Sequence, residues 1–264
     1  MKLAISKSVA RLHGLPKVEW RRQHIESILA WFVNLDTNIA ATEFKCTWVL
    51  ENEDGEQTQL VLPWLDRTKL QKYDEHNLVL CSCSVKSAFF WHPWASLTLA
   101  SGAAGALDVI IPSLGEEGSA TIWERLLTQV FSIFEVSYGY GTCVCVWELG
   151  TWIGSKEKPA SSTSRQRPTW NQMVRRLAQR DNYLSLRGLL RNVFNWQVLT
   201  QDHLALMVGN VSLRQWIEGD RRRGILKQVP PELTIWKVAE EERASVGKEL
   251  LSSGVLYDYV QCGR

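Results

Sequence analysis

Residues 212–256, SLRQWIEGDRRRGILKQVPPELTIWKVAEEERASVGKELLSSGVL, prescribe a short helix, a strand pair and a second helix in close succession. Ser212 followed three residues later by Gln215 is a capping-box pattern, in which each side chain satisfies an amide at a helix start. It predicts Leu213, Trp216 and Ile217 on one buried face. Gly219 and Asp220 stop that helix, residues 221–223 read as solvated arginines, and Gly224 opens an alternating segment over 225–229 that turns at Pro230 and Pro231. The β-branched and aromatic residues from Leu233 to Val238 predict the returning strand. Acidic residues 240–242 suit the positive end of a helix running to Ser252. Gly254 closes it in the left-handed conformation, and residues 255–260 return as a last strand.

The first half alternates between the two periods. Ile25, Ile28, Leu29, Phe32 and Leu35 recur at helical spacing, whereas Phe44, Cys46, Trp48 and Leu50 alternate with Glu43, Lys45 and Thr47 as in a half-buried strand. Residues 1–9 alternate enough for an edge strand. Asp54 and Gly55 predict a turn with a return strand over 59–62, and a helical turn follows near 65–72. Residues 78–85, 95–100 and 106–111 read as a meander whose turns include the segment from Trp91 to Trp94. Thr121 with Glu124 is a second capping-box pattern, heading a helix with Trp123, Leu126, Leu127, Val130, Phe131 and Phe134 on its apolar face. Tyr138-Gly139-Tyr140-Gly141 reads as an aromatic turn before a strand over 142–149. Further on, Trp170, Met173, Val174 and Leu177 predict a helix, residues 193–199 a strand, and Thr200 the cap of a short helix holding Leu204 and Met207.

These elements predict an α+β protein with mainly antiparallel sheets and packed helices in two subdomains. The N-terminal one spans 1–153 and the C-terminal one 169–264, joined by residues 154–168, GSKEKPASSTSRQRP, whose want of large apolar side chains marks a linker or mobile loop. A chain of 264 residues with 45% hydrophobic content supplies an ample core. Its thirteen Trp residues are spread too widely to serve one pocket, so most are expected between sheet and helix with the indole N–H bonded.

The order VLTQDHL, SLRQWI, RGIL, LTIWKV, a helix and GVL over residues 193–257 resembles the C-terminal part of the immunity protein 52 family of bacterial polymorphic toxin systems, with weaker similarity over 97–140. The resemblance implies a non-enzymatic antitoxin that binds and occludes a cognate toxin, with a restriction-endonuclease-fold nuclease effector of type VI secretion as one such toxin.

The search for chemistry leaves no catalytic set. His13, His24, His76, His92 and His203 show no paired ligand spacing, and no nucleophile elbow or phosphate loop is present. Cys81-x-Cys83 and Cys143-x-Cys145 could present four sulfurs from two strands, but their spacing is too short for the usual structural zinc site and their neighbours are apolar. No metal or cofactor is therefore expected. Asp36, Glu43 and Lys45 echo the acidic Glu-x-Lys set of metal-dependent nucleases, which defines an alternative function, although an exposed strand face explains Glu43 and Lys45 equally well. A non-enzymatic adaptor for effector export or phage assembly is a third reading.

Net charge is +2, which implies no bulk attraction to nucleic acid. The halves differ, with 12 basic against 17 acidic residues over 1–154 and 18 against 11 over 155–264. A basic toxin cleft would meet the acidic half, so Glu51, Glu53, Asp54 and Glu56 are expected to contact the partner, with Trp91 and Trp94 as alternative aromatic anchors. The opening MKLAISKSVARLHGLP is too broken by charge for a secretory segment, and no apolar run reaches about 18 residues. A cytoplasmic protein with six reduced cysteines and no membrane partner is expected.

Overall fold

Phe44, Cys46, Trp48 and Leu50 are buried while Lys45 is exposed and Thr47 and Val49 are half-buried, so the two-residue period is the pleat of a strand with one face inward. The computed structural model describes residues 6–16, 22–33, 44–63, 67–86, 93–100, 106–112, 115–130, 134–145, 190–229 and 232–256. The fold is α+β, and its paired strands are antiparallel. The chain divides into two compact units, Ser6–Val136 and Ser137–Arg264 with Met1–Ile5. The anticipated linker, residues 154–168, lies outside the described residues.

The first unit contains β1 (Ser6–Pro16), α1 (Arg22–Val33), β2 (Lys45–Glu51), β3 (Gln57–Pro63), α2 (Arg67–Leu70), β4 (Asn77–Lys86), β5 (Pro93–Ala100), β6 (Ala106–Pro112), α3 (Gly115–Val130) and the start of β7 (Phe134–Cys145). Six strands pair in the order β3-β2-β4-β5-β6-β1. Their register aligns Cys81 with Leu99 and Leu107, and Cys83 with Leu97 and Val109, all buried on one face. On the opposite face, Thr47, Ser82, Thr98, Asp108 and Arg11 follow one another across five strands. Ser82 and Thr98 hydroxyls lie 3.0 Å apart, and the Arg11 guanidinium grips the Asp108 carboxylate with two nitrogens. Helix α1 buries Ile25, Ile28, Leu29 and Phe32, and α3 buries Ile122, Trp123, Leu126, Leu127 and Val130. Removing each such side chain from water contributes roughly 1.5–3 kcal/mol. The two helices touch one another, and the Phe32 ring meets Phe44 edge to face at 5.5 Å.

The second unit holds the rest of β7, then β8 (Trp196–Leu199), α4 (Gln201–Leu204), the two-residue strands β9 (Met207–Val208) and β10 (Val211–Ser212), α5 (Leu213–Glu218), β11 (Ile225–Val229), β12 (Leu233–Lys237) and α6 (Arg243–Ser252). Four strands pair in the order β11-β12-β8-β7. All four residues of β8 are buried, as in a strand covered on both faces. The Ser212–Gln215 capping box forms: Ser212 Oγ accepts from the Gln215 amide at 3.2 Å, Gln215 Oε1 accepts from the Ser212 amide at 3.1 Å, and Leu213, Trp216 and Ile217 are buried. Thr200 caps α4, with His203 as its reciprocal partner. Gly254 takes a φ of +77° beyond α6, as its place in the sequence predicted.

Several expectations are corrected. The first strand covers Ser6–Pro16, so it continues beyond the expected end at residue 9, while residues 1–5 and Leu35 lie outside the described residues. Thr121 does not start α3, because the small and acidic residues from Gly115 carry the helix one and a half turns further upstream. Tyr138–Gly141 is no turn: Gly141 lies under the Trp196 ring of the neighbouring strand, where a side chain would not fit, and the residues sit within β7, to which Phe134 also belongs. Pro93 and Trp94 belong to β5. Met207 is exposed on β9, whereas residues 240–242 do lead into the positive end of α6, which ends at Ser252 as expected. Arg223 is tied down rather than solvated: it donates to Trp216 O at 2.9 Å, reaches Glu249 at 3.3 Å and lies 4.3 Å over the Trp216 ring. Cys46 and Cys83 are paired in register on β2 and β4 with a Cα separation of 4.0 Å, and their sulfurs are bonded, so these two are not reduced thiols. Trp236 donates to Arg223 O at 2.7 Å, but the buried Trp48 N–H has no partner.

Candidate functional site

The sequence Glu51-Asn52-Glu53-Asp54-Gly55-Glu56-Gln57 bends through a three-residue connection organised by one side chain. Asn52 Oδ1 accepts the amides of Asp54 at 3.1 Å and Glu56 at 2.8 Å. In the backbone, Gly55 donates to Asn52 O and Asn52 to Glu56 O, both at 3.1 Å. Gly55 has a φ of +80°, which closes a type I turn with a left-handed residue and a bulge. The expected Asp54-Gly55 turn is therefore present. The signal that organises it, an Asn two residues before that dipeptide, is an Asx-turn pattern overlooked in the sequence.

This turn holds four carboxylates at a projecting tip. Glu53, Asp54 and Glu56 are exposed and Glu51 half-buried. Glu51 Oε2 accepts from Gln57 Nε2 at 2.8 Å and Glu56 Oε2 from Asn52 Nδ2 at 3.3 Å, yet none of the four makes an ion pair. A cationic surface would therefore meet four like charges that make no ion pair among the described residues.

Trp94 is placed elsewhere. Glu51 pairs with Asn77 at one end of β4, whereas Lys86 at the other end pairs with Pro93, the neighbour of Trp94. Nine residue steps separate the two ends, about 30 Å at strand rise. Trp91 lies outside the described residues, as do Asp36 and Glu43. Lys45 is exposed, opposite Pro63 and Ser84, at the end of β2 far from the acidic tip.

A second polar cluster, not anticipated, fills the interior of the second unit. Tyr138 Oη donates to Gln197 Oε1 at 3.2 Å and accepts from the Arg191 amide at 3.3 Å, while the Arg191 guanidinium donates to Tyr140 Oη and lies over that ring. Tyr140 stacks on Phe194 at 4.5 Å, and His203 packs near Tyr138 with its Nδ1 2.9 Å from Thr200 Oγ1. Gln197 and His203 are fully buried, so this network orders the interior of the second unit. Among the described residues, no group of three or more His, Cys, Asp or Glu could hold a metal ion. Burial pushes the Cys81 thiol well above its ordinary range, and Cys83 is committed to Cys46, so Cys81-x-Cys83 does not supply two thiolates.

No protein-family model matches the chain, and comparison with curated proteins finds no match. No helix among the described residues is long and apolar enough to cross a membrane.

Proposed function

We propose that this chain is a non-enzymatic immunity protein, an antitoxin that binds and neutralises a cognate secreted toxin such as a nuclease effector of type VI secretion. The observation that carries the reading is the tip of the β2–β3 hairpin: four carboxylates without ionic partners, presented on a turn that six hydrogen bonds pre-organise. A nuclease cleft is cationic because it must hold phosphate, so a fixed acidic projection accelerates encounter and competes with substrate. Rigidity matters as well, since a pre-ordered loop loses little entropy on binding.

The proposal includes a cytoplasmic location. A reducing cytoplasm holds accessible cysteines as thiols, so the Cys46–Cys83 bond fits that location as one that full burial of both residues shields from the thiol pool. Alkylation of fresh lysate reads that directly. The function itself is tested by co-expression with the product of the reading frame directly upstream. Restored growth and a co-purifying complex are expected; unrelieved toxicity, or no toxicity to relieve, overturns the reading.

A further inference from the structure

Strand β3 is bonded to β2 on one side, and no described strand lies on the other. The hairpin fixes which of its amides face outward. Asn52 donates to Glu56 O, which makes that position a bonded pair, and bonded and non-bonded pairs alternate along an antiparallel ladder. Following the register, Thr58, Leu60 and Leu62 turn their backbone groups toward β2, and Gln57, Gln59 and Val61 turn theirs to the open side.

Edge strands are ordinarily blunted by a charge, as β11 of the other unit is by Lys227. The seven residues of β3, QTQLVLP, contain no charge, and Val61 is 61% exposed. Only Pro63, at the far end, lacks an amide to offer. Charge is concentrated instead at the adjoining tip, and all of it is negative.

We infer that β3 is a docking edge for an extended segment of a partner polypeptide, which pairs backbone to backbone with Gln57, Gln59 and Val61 and carries Lys or Arg where it passes Glu53, Asp54 and Glu56. Backbone pairing supplies affinity and the acidic tip selects a basic occupant. The inference rests on the immunity reading for the partner's being a toxin; the edge is tested without one.

The probes are two fluorescein-labelled peptides, seven alternating Thr and Val residues followed by Lys-Lys-Arg or by Glu-Glu-Asp, titrated into the full chain and followed by anisotropy and amide exchange. The basic peptide is expected to bind at least tenfold more tightly than the acidic one and to slow exchange at Gln57, Gln59 and Val61 at least tenfold, leaving Thr58 and Leu60 unchanged. Gln59→Pro removes the central outward amide and should abolish both effects. Val61→Lys, which keeps the backbone and adds a blocking charge at an exposed position, should do the same if the proline variant fails to fold. Equal binding of the two peptides, no binding at millimolar concentration, or unaltered binding by Val61→Lys overturns the inference, as does a free chain that sediments as a dimer which Val61→Lys dissociates. Rescue from the toxin by Val61→Lys as complete as by the wild type would overturn the edge and spare the immunity reading. Tail-dependent peptide pairing without rescue by the wild type would do the reverse.

Discussion

Gly141 on β7 lies directly opposite Trp196 on β8, and a Cβ at position 141 would fall within the indole ring. Both residues are buried, so moving the ring aside would disturb packed neighbours or expose apolar surface. Gly141→Ala should therefore destabilise the chain by about 1–3 kcal/mol through overpacking, read as a lower urea midpoint with an unchanged slope. In a Trp196→Leu background the same change should cost less, because the obstructing ring is gone. Additive effects of the two substitutions would show that the clash is relieved elsewhere.

Leu126 is 1% exposed on α3, on the same face as Trp123, Leu127 and Val130. Leu126→Asp places a carboxylate without a partner among them, at a cost of several kcal/mol against a typical total of about 5–15 kcal/mol. Loss of the cooperative urea transition, or a midpoint near zero, is expected. Arg125, one position along and exposed, is the control: Arg125→Asp should leave the midpoint nearly unchanged.

The parts of the fold legible in the sequence were those fixed by local chemistry. Ser212 and Gln215 satisfy each other's amides wherever that segment lies, and Cys46, Trp48 and Leu50 share a face because a strand has a period of two. What misled was equally local. Thr121 and Glu124 have capping-box spacing, but a cap exists only if the preceding residues leave the helix, and Gly115 onward does not. Tyr138–Gly141 carries two glycines, a turn signal when read alone; the reason for Gly141 is Trp196, 55 residues away. The Cys46–Cys83 bond likewise depends on β2 pairing with β4, a register that no spacing of cysteines reveals. Of the candidate site, the acidic residues were legible from composition, while Asn52 as its organiser and the open side of β3 emerge only from hydrogen bonds and strand order.

Asp220 provides a titration that can be followed at one residue. The Arg222 side chain bonds its carboxylate and the Arg222 amide donates to it, which together lower its pKa from 3.8 to about 2. A depressed carboxylate favours the fold above the unfolded value, and that contribution is lost as pH falls through about 2. The carboxyl carbon of Asp220 should titrate near 2 by NMR. Arg222→Ala removes the guanidinium but keeps the backbone donor, so the midpoint should rise part of the way to 3.8; an unmoved midpoint would discard the side chain as the cause.

The acidic tip makes a kinetic prediction once a toxin partner is in hand. Changing Glu51, Glu53 and Glu56 to Gln and Asp54 to Asn removes four charges but leaves Asn52 and Gly55, which set the turn, in place. Circular dichroism should therefore be unaltered. Long-range attraction acts on encounter and decays over a Debye length of about 8 Å at physiological ionic strength, so the association rate should fall in the variant and lose most of its salt dependence. Dissociation should change less, because exposed carboxylates at a rim form weak ion pairs of about 0–1 kcal/mol each. If the tip merely keeps the hairpin hydrated, the rate and its salt dependence will match those of the wild type, and the contact surface must then be sought on another face of the chain. A variant that associates at the wild-type rate yet dissociates much faster would instead place the carboxylates inside a desolvated interface, where they act as anchors rather than as steering charges.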